Sequence, residues 1–272
     1  MHSFFSTFAA MKQAMIFAAG LGTRLKPLTD TMPKALVPVG GEPLLHHVIM
    51  KLKAAGFERI VVHVHHFAQQ IIDYLNANGN FGLDIRISDE RDGLLETGGG
   101  IKKALPLFDQ ASPILIHNVD ILSNLDLTQV MQTSETPPDA LLLVSQRKTK
   151  RYLLFADDMR LKGWTNIETG QVRSPYSWLS EDSSLHDSST LFTLHPSLQR
   201  LAFSGIHVIW PSVFPLFSEM PDRFGIIDFY LKYCHQFVYV GHEQHDLQLM
   251  DVGKLDTLHD AEQFVNALQN KR

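Results

Sequence analysis

The sequence predicts an α/β fold, in which a doubly wound, mostly parallel sheet carries helices on both faces. Short apolar runs alternate with amphipathic segments over most of the chain, and this alternation is typical of strands joined by crossover helices. The first apolar run passes directly into a glycine-rich loop at Gly20. A chain of 272 residues, 44% of them hydrophobic, is long enough to bury a full core around such a sheet.

The apolar runs predict the strands and the amphipathic segments predict the helices, in chain order. Strands are expected at 14–19, 60–64, 83–88, 113–117 and 140–145. Helices are expected at 44–55, at 68–78, from just after Gly98, and at 125–133. The same pattern resumes later, with strands at 203–209, 237–240 and 247–250 and helices at 211–219, 227–234 and 257–270.

Residues 146–202 interrupt this alternation. They contain short strand-like pieces, turn signals and a serine-rich stretch at 174–189. We interpret them as an irregular insertion over the binding site, within a single domain at 13–272. Residues 1–12 are expected to be an N-terminal extension, since their apolar run is too short for a signal peptide. Translation is expected to start at Met1 or at Met11.

The loop after the first predicted strand has the composition of a phosphate-binding site. Its glycines lack the Cβ atoms that would keep a triphosphate away from the backbone, so amide N–H groups can converge on phosphate oxygens. Arg24 would add a rigid fork of donors and Lys34 a mobile point charge. The predicted cradle consists of Ala19, Gly20, Gly22 and Thr23.

Two better-known phosphate loops do not match this segment. The dinucleotide fingerprint G-x-G-x-x-G needs a third glycine where Leu25 stands. The Gly-Lys-Ser/Thr ending of a Walker A loop does not occur in the sequence. An ordinary turn with incidental charge is the remaining alternative, and the ordered Thr-Arg-Leu, Pro-Leu-Thr and Pro-Lys elements argue against it.

Composition excludes several classes of function. A formal net charge of −5 argues against nucleic acid as a partner, because polyanion binders carry a basic excess. Cys234 is the only cysteine, so no intrachain disulfide can form, and a reducing cytoplasm is expected. No run of about 18 apolar residues occurs, so no membrane span is expected.

Two aspartates follow apolar runs that are far apart in the sequence. Asp120 comes after the run 114–119, and Asp251 comes after the run 247–250. Two carboxylates at one site repel each other unless a cation lies between them. Mg²⁺ suits such a pair, because it completes its octahedron with water and phosphate oxygens.

The run from 14 to 39 resembles the signature of the sugar-1-phosphate nucleotidyltransferases, with G-x-G-T-R-L, P-L-T and P-K-x-L-V-P-V in this order. Residues 96–105 are most similar to small bacterial members that act on N-acetylmuramate 1-phosphate or mannose 1-phosphate. The resemblance implies a Rossmann-like, GT-A-like fold and a Mg²⁺-dependent enzyme that joins a nucleoside triphosphate to a sugar 1-phosphate. UTP with N-acetylmuramate 1-phosphate is favoured, and GTP with mannose 1-phosphate is the alternative.

The resemblance also implies roles for particular residues. Arg24 would hold the leaving pyrophosphate and Lys34 would bridge the reacting phosphates, while Asp120 and Asp251 would bind Mg²⁺. The nucleobase would be read by the bare backbone at Gly98 and Gly99, with Thr97 as the side-chain partner. The expected sugar side consists of Glu96, Asn166, Glu168, Gly205 and Asp228, with Lys162 or Arg173 at the sugar phosphate.

Three histidines near the second predicted strand invite a metal-site interpretation. On a strand, His63 and His65 share one face and His66 points away, so we do not expect a metal there. His65 remains a candidate nucleotide contact, and His117 is expected in the core or behind the metal site. Two further alternatives stay open: a nucleotide-binding regulatory subunit without turnover, and transfer to a non-sugar phosphate such as phosphocholine.

Overall fold

The computed structural model describes residues 11–131, 136–180 and 198–269. Its strands are β1 Gln13–Phe17, β2 Pro38–Val39, β3 Glu42–Pro43, β4 Arg59–Val64, β5 Asp84–Asp89, β6 Ile114–Asn118, β7 Ile121–Ser123, β8 Ala140–Ser145, β9 Arg151–Phe155, β10 Leu161–Asn166, β11 Gln171–Arg173, β12 Gln199–Ile209, β13 Tyr239–His242 and β14 Leu249–Asp251. Its helices are α1 Leu44–Ala54, α2 Ala68–Ala77, α3 Glu96–Ala104, α4 Leu127–Met131, α5 Ser177–Ser180, α6 Ile226–Tyr233 and α7 Leu258–Gln269.

The predicted parallel sheet is confirmed at the centre of the molecule. β1 lies between β4 and β6 and pairs with both in parallel, and β5 extends the sheet beyond β4 in the same direction. Parallel strands require crossover connections, which α1, α2 and α3 supply. The carboxyl ends of β1 and β6 therefore meet at one edge of the sheet, with Phe17 beside Asn118.

The other half of the sheet is mostly antiparallel, although β13 pairs with β8 in parallel. β12 pairs with β6, β8 and β9 in opposite directions, and β10 and β11 continue outward from β9. The span 151–173 is thus more regular than the sequence predicts, because three short strands extend the main sheet. A register shift between Leu161 and Gly163 breaks their alternation. Residues 181–197 of the predicted insertion lie outside the described residues.

The core consists of two large hydrophobic clusters, one on each face of the sheet, and a third, small cluster around Leu154. Ala14 and Ile16 of β1 belong to the cluster that contains the buried residues of α1, α2 and α7. Met15 points the other way, into the cluster of α3 and α6. This period of two is what a strand buried on both faces requires. In the part of the chain that the structure describes, no helix is both long enough and apolar enough to cross a membrane.

Two local differences from the sequence prediction have physical causes. The helix expected at 211–219 is a 3₁₀-helix, Pro211–Glu219. Pro215 lies inside it and has no N–H to donate to an α-helical hydrogen bond. The helix expected at 125–133 is described over Leu127–Met131, and residues 132 and 133 lie outside the described residues.

Candidate active site

A cavity of about 440 Å³ opens at the carboxyl edge of the central strands. It begins where β1 ends at Phe17 and where β6 ends at Asn118. We call it the main cavity. Its other lining residues are Ala19, Gly20, Leu21, Gly22, Thr23, Arg24, Lys34, His63, Leu94, Glu96, Thr97, Val119, Asp120 and Gly253.

The whole predicted phosphate cradle lines the main cavity, although its two glycines differ in their surroundings. A Cβ on Gly20 would meet nothing within 4 Å, so packing does not require glycine there. Gly22 adopts a φ of +63°, and a Cβ on it would lie 2.7 Å from the methyl carbon of Thr29. Packing and backbone conformation together require glycine at 22, whereas only an approaching ligand would require it at 20.

Thr29 fixes the conformation of this loop. Its hydroxyl donates a hydrogen bond to the carbonyl oxygen of Gly22 at 2.8 Å. The same carbonyl accepts the amide N–H of Leu25 at 2.8 Å, which closes the 3₁₀ turn Thr23–Leu25 that carries Arg24. The predicted Pro-Leu-Thr element therefore supports the glycine loop from behind.

Lys34 and Asp120 form an ion pair inside the main cavity. The ammonium of Lys34 contacts Oδ2 of Asp120, and the two side chains are 9% and 24% exposed. A nearly buried ammonium needs a partner of opposite charge. The sequence assigned these two residues to phosphate and to metal separately, and the structure places them against each other.

Asp120 and Asp251 are brought together by a two-stranded ribbon, β7 and β14. Asp251 pairs with Ile121 in antiparallel register. The amide of Val252 donates to the carbonyl oxygen of Asp120 at 2.8 Å. Two aspartates from opposite halves of the chain therefore leave adjacent backbone positions, and of the two, Asp120 is the one that lines the main cavity.

Gly253 is a site residue to which the sequence analysis gave no role. A Cβ on it would lie 2.8 Å from Oδ1 of Asp251 and 2.9 Å from Nη2 of Arg24. The absent side chain thus leaves room for a carboxylate and a guanidinium at the rim of the main cavity. The signal in the sequence is a glycine two residues after a predicted metal ligand.

The residues expected to read the base do not all lie at the main cavity. Thr97 lines the main cavity, but Gly98 and Gly99 do not. The amides of both glycines donate to the carbonyl oxygen of Phe224, at 2.9 and 3.1 Å. A Cβ would lie 2.2 Å from the ring of Phe224 at Gly98 and 2.2 Å from the backbone oxygen of Asp222 at Gly99. Close packing of the 222–226 loop accounts for both glycines.

Glu96 lies at the start of α3 in a left-handed conformation with φ of +64°. Such a φ is uncommon for a residue other than glycine and indicates a local constraint. Nε of Arg223 donates to Oε1 of Glu96 at 3.0 Å, and the amide of Ile226 donates to Oγ1 of Thr97 at 2.9 Å. The 222–226 loop therefore holds both residues against the main cavity.

The three neighbouring histidines have separate surroundings. Nε2 of His63 lies 2.8 Å from Oε1 of buried Glu90, and His63 also lines the main cavity. Burial alone would raise the pKa of Glu90, but the neighbouring His63 and the hydrogen bond from the Leu95 amide outweigh it and lower the pKa. His65 contacts the backbone oxygen of Glu90 at 2.7 Å, and the ring of His66 packs on Phe67.

The sugar-side candidates are only partly brought to the site. Gly205 has a φ of +74°, and a Cβ on it would lie 2.4 Å from Nδ2 of Asn118, which lines the main cavity. Asp228 lies in a side cavity of about 300 Å³ together with Trp164 and Arg173. The guanidinium of Arg173 pairs with the Asp228 carboxylate and lies 5.6 Å from the ring centre of Trp164.

Asn166 and Glu168 lie in and beside the turn between β10 and β11. Oδ1 of Asn166 accepts the amide of Glu168 at 3.0 Å, and the Glu168 carboxylate pairs with Lys150 at 2.6 Å. Neither residue lines the main cavity or the side cavity. The ammonium of Lys162 lies 4.8 Å from the ring centre of Tyr176, so Arg173 is nearer to the expected sugar side.

The oxygen donors at the rim fit a hard divalent cation. Asp120 and Asp251 present carboxylates from neighbouring positions of one ribbon, and Asp120 already holds a cationic group. Within the described ranges, no group of three or more histidine, cysteine, aspartate or glutamate side chains could hold a metal. Water and substrate phosphate would complete the coordination shell, as they do around Mg²⁺.

Comparison with known proteins agrees with this architecture. The chain is 44% identical over 127 residues to the N-acetylmuramate alpha-1-phosphate uridylyltransferase of Neisseria meningitidis, covering 47% of this chain and 54% of that protein. It is 50% identical over 113 residues to the protein of that name from Caulobacter vibrioides, covering 41% and 46%. The chain thus spans about half the length of the curated relatives it matches.

A solved structure and a family profile complete the comparison. The crystal structure of HddC from Yersinia pseudotuberculosis, complexed with GMP-PN, superposes with a TM-score of 0.69. At 21% identity it covers 94% of this chain and 100% of its own, and this likeness shows the fold. Residues 13–152, from β1 into β9, match the profile of the nucleotidyl transferases. The chain belongs to the nucleotidyl transferase family.

Proposed function

We propose that this chain transfers a nucleotidyl group from a nucleoside triphosphate to a sugar 1-phosphate and releases pyrophosphate. One observation carries the proposal. A glycine loop with an arginine, the nearly buried Lys34 and the Asp120 carboxylate that it contacts all line one cavity of about 440 Å³. Cations and N–H donors beside a carboxylate that can hold a metal suit a triphosphate.

The reaction needs positioning and charge neutralisation more than proton transfer. An oxygen of the sugar phosphate attacks the α-phosphorus in line, and the bond from that phosphorus to the pyrophosphate oxygen breaks. The attacking phosphate is already ionised near neutral pH, so no general base has to remove a proton. Side chains that hold both phosphates at the correct separation supply most of the rate enhancement.

The glycine cradle and the charged side chains of the site have distinct roles in this reaction. The cradle at 20–23 and the guanidinium of Arg24 hold the β- and γ-phosphates that leave as pyrophosphate. The ammonium of Lys34, which contacts Asp120 in the free protein, moves to the reacting phosphates. Mg²⁺ held by Asp120 and Asp251 would polarise the α-phosphate when bound.

We infer that UTP and N-acetylmuramate 1-phosphate are the substrates. The support is the similarity of residues 96–105 to enzymes for that sugar and the 44% and 50% identity to two proteins named for it. Thr97 would meet the nucleobase, and Glu96, which also lines the main cavity, would face the sugar. Arg173 and Asp228 would meet the sugar side. The product would supply cell-wall synthesis in the cytoplasm.

One screen tests the proposal. Purified full-length protein with Mg²⁺ is incubated with each of four nucleoside triphosphates and a panel of sugar 1-phosphates, and pyrophosphate release is measured. We expect the highest kcat/KM for UTP with N-acetylmuramate 1-phosphate. Highest activity with GTP and mannose 1-phosphate would replace the substrate assignment. Nucleotide binding without pyrophosphate release from any pair would contradict the enzymatic function and support a regulatory subunit.

A further inference from the structure

The side cavity that holds Arg173 and Asp228 contains a second arginine, Arg151, to which the reaction described above gives no role. The cavity encloses about 300 Å³ between strands β9 to β12 and the first turn of α6. The residues that matter for its chemistry are Arg151, Trp164, Arg173, Phe203, Ile227 and Asp228.

The two arginines of the side cavity differ in their partners. The guanidinium of Arg173 pairs with the Asp228 carboxylate and lies 5.6 Å from the ring centre of Trp164. Asp228 is fixed in turn, since its Oδ2 accepts the amide of Gly225 at 3.2 Å. The exposed guanidinium of Arg151 has no hydrogen-bond or ion-pair partner among the described residues. A ligand can therefore engage Arg151 without breaking a contact of the free protein.

The lining of the side cavity carries an excess of one positive charge. Arginine stays protonated in proteins, so two guanidinium groups stand against the single carboxylate of Asp228. Two neighbouring ion pairs add no net charge: Lys150 with Glu168 at 2.6 Å, and Arg223 with Glu96 at 3.0 Å. A guanidinium presents two parallel N–H donors that match the two oxygens of a carboxylate. The cavity therefore favours an anionic group, and a carboxylate fits its donors.

Apolar side chains form the rest of the wall. Trp164, Phe203 and Ile227 are half-buried and pack against the hydrophobic cluster of α3 and α6. An aromatic side chain offers the C–H face of a sugar ring an apolar surface, while polar groups fix the orientation of the ring. The volume of about 300 Å³ is at the lower end of the range for ligand pockets, roughly 300 to 1,000 Å³. It suits part of a substituted sugar and is too small for a nucleotide.

The side cavity adjoins the main cavity at Gly225. A Cβ on Gly225 would lie 3.2 Å from Oδ2 of Asp228 in the side cavity and 3.9 Å from Oε2 of Glu96 in the main cavity. A second link is β12, on which Phe203 of the side cavity is two residues from Gly205, the residue that packs against the end of β6. A sugar whose 1-phosphate lies in the main cavity can therefore extend into the side cavity.

We propose that Arg151 selects sugar 1-phosphates that carry a carboxylate, by binding that carboxylate in the side cavity. The inference rests on the proposed transfer reaction and adds the chemical class of its acceptor. The 1-phosphate has to lie in the main cavity, because one of its oxygens attacks the α-phosphorus there, so Arg151 is left for a second anionic group. N-acetylmuramate has such a group in the carboxylate of its lactyl ether, whereas mannose and N-acetylglucosamine have none.

Three sugar 1-phosphates that differ only at this substituent test the inference: N-acetylmuramate 1-phosphate, its carboxyl methyl ester, and N-acetylglucosamine 1-phosphate, which lacks the lactyl ether. Pyrophosphate release from the full-length protein, with Mg²⁺ and the nucleoside triphosphate that gives the highest activity, yields kcat and KM for each. We expect the wild type to have a KM for the acid at least about tenfold below that for the ester. Arg151→Gln should raise the KM for the acid at least about tenfold and leave its kcat within about twofold, because Arg151 is remote from the reacting atoms. The ester and N-acetylglucosamine 1-phosphate should react as with the wild type.

Two further variants separate the guanidinium from charge alone. Arg151→Lys keeps the charge without the fork of donors and should give an intermediate KM for the acid. Arg160→Met is the matched control, because Arg160 pairs with exposed Asp158 at 3.3 Å and does not line the side cavity. It should leave all three KM values unchanged.

The outcomes distinguish this inference from the proposed function. An Arg151→Gln enzyme that keeps the wild-type ratio of acid to ester would overturn the inference alone. An equal loss for all three sugars would also overturn it, because Arg151 would then act on the shared phosphate. A wild type that turns over mannose 1-phosphate or the ester better than the acid would do the same. Absence of turnover with every sugar 1-phosphate would reject the proposed function, and the inference with it.

Discussion

The ammonium of Lys34 is the counter-ion of the Asp120 carboxylate in the free protein. The side chain of Lys34 is 9% exposed and that of Asp120 is 24% exposed, so the pair is largely shielded from water and is stronger than a surface ion pair. One oxygen of the carboxylate proposed to bind Mg²⁺ therefore already carries a positive group. A metal ion has to compete with Lys34, and an arriving triphosphate removes that competition by attracting the ammonium to itself.

Lys34→Met should therefore have opposite effects on metal binding and on turnover. Removing the competing ammonium should raise the affinity of the free protein for Mn²⁺, used as a probe for Mg²⁺, by about tenfold. The same change should lower kcat more than it weakens UTP binding, because the charge acts on the reacting phosphates. Titration calorimetry and kinetics measure the two effects. Lys26→Met, which removes an exposed pair with Asp30, is the control, and unchanged Mn²⁺ affinity in Lys34→Met would contradict the competition.

Asp120→Asn should lower turnover by at least about a hundredfold, as the loss of a charge clamp in the transition state does. It should also lower the free energy of unfolding by about 2 kcal/mol, because Lys34 is left buried without its carboxylate. Urea unfolding and pyrophosphate release give the two numbers. The double variant with Lys34→Met should recover part of the stability and none of the activity. Normal turnover with unchanged Mg²⁺ dependence would refute the metal assignment.

Gly20→Ala and Gly22→Ala should separate ligand contact from packing. A methyl group at 20 meets open space, so stability should stay within about 0.5 kcal/mol while UTP affinity falls. A methyl group at 22 meets Thr29 at a φ of +63°, so this variant should lose about 1 kcal/mol or more of stability. Thermal unfolding and calorimetry with UTP measure both. If Gly20→Ala binds UTP normally, the backbone at 20 does not hold phosphate.

Arg24→Lys should reduce activity although it retains the charge. A guanidinium holds two phosphate oxygens in a fixed plane, whereas an ammonium acts as a single point charge. The UTP Kd should rise by about tenfold. Gly253→Ala should act similarly, since its methyl group would displace both Nη2 of Arg24 and Oδ1 of Asp251. An Arg24→Lys variant indistinguishable from the wild type would show that the Arg24 guanidinium does not bind the pyrophosphate.

Stability should fall as the pH is lowered from about 7 to about 5, before the carboxylates titrate. Burial lowers the pKa of His117 to about 4 and that of His207 to about 3, against 6.5 for an ordinary histidine. Below pH 6.5 the unfolded chain takes up protons that the folded chain excludes, at a cost of about 2 kcal/mol per histidine by pH 5. Urea unfolding across this range measures the slope. His207→Gln should flatten it, His259→Gln on an exposed helix face should not, and an unaltered slope in both would contradict the assignment.

The sequence is most informative where function depends on local spacing. The cradle at 19–24 and the two aspartates could be singled out because each lies at or just after the end of a strand whose apolar run can be read in the sequence. Lys34 could be singled out by the Pro-Lys motif that follows the glycine loop. Register sets the rest: Asp251 faces Ile121, and only the antiparallel ribbon shows that the two aspartates occupy adjacent backbone positions.

Contacts between segments that are distant in the chain could not be predicted from the sequence. In the sequence, Gly98 and Gly99 resemble a backbone exposed for ligand binding. In the structure, the absence of their side chains leaves room for Phe224 and Asp222, which come from the other half of the chain. Asn166 and Glu168 satisfy each other in a turn. The packing at Gly98 and Gly99 does not follow from local composition, because it depends on which distant segment packs against the motif, whereas the contact between Asn166 and Glu168 is local.

The ribbon that joins Asp120 to Asp251 also has a consequence during protein synthesis. β7 leaves the ribosome long before its partner β14, which is separated from it by more than a hundred residues, so the ribbon closes only when most of the chain has been made. The core cluster that covers β1 also takes in residues of β12 and α7, which are made late. The metal site proposed at Asp120 and Asp251 is therefore completed late in translation, together with the core that supports it.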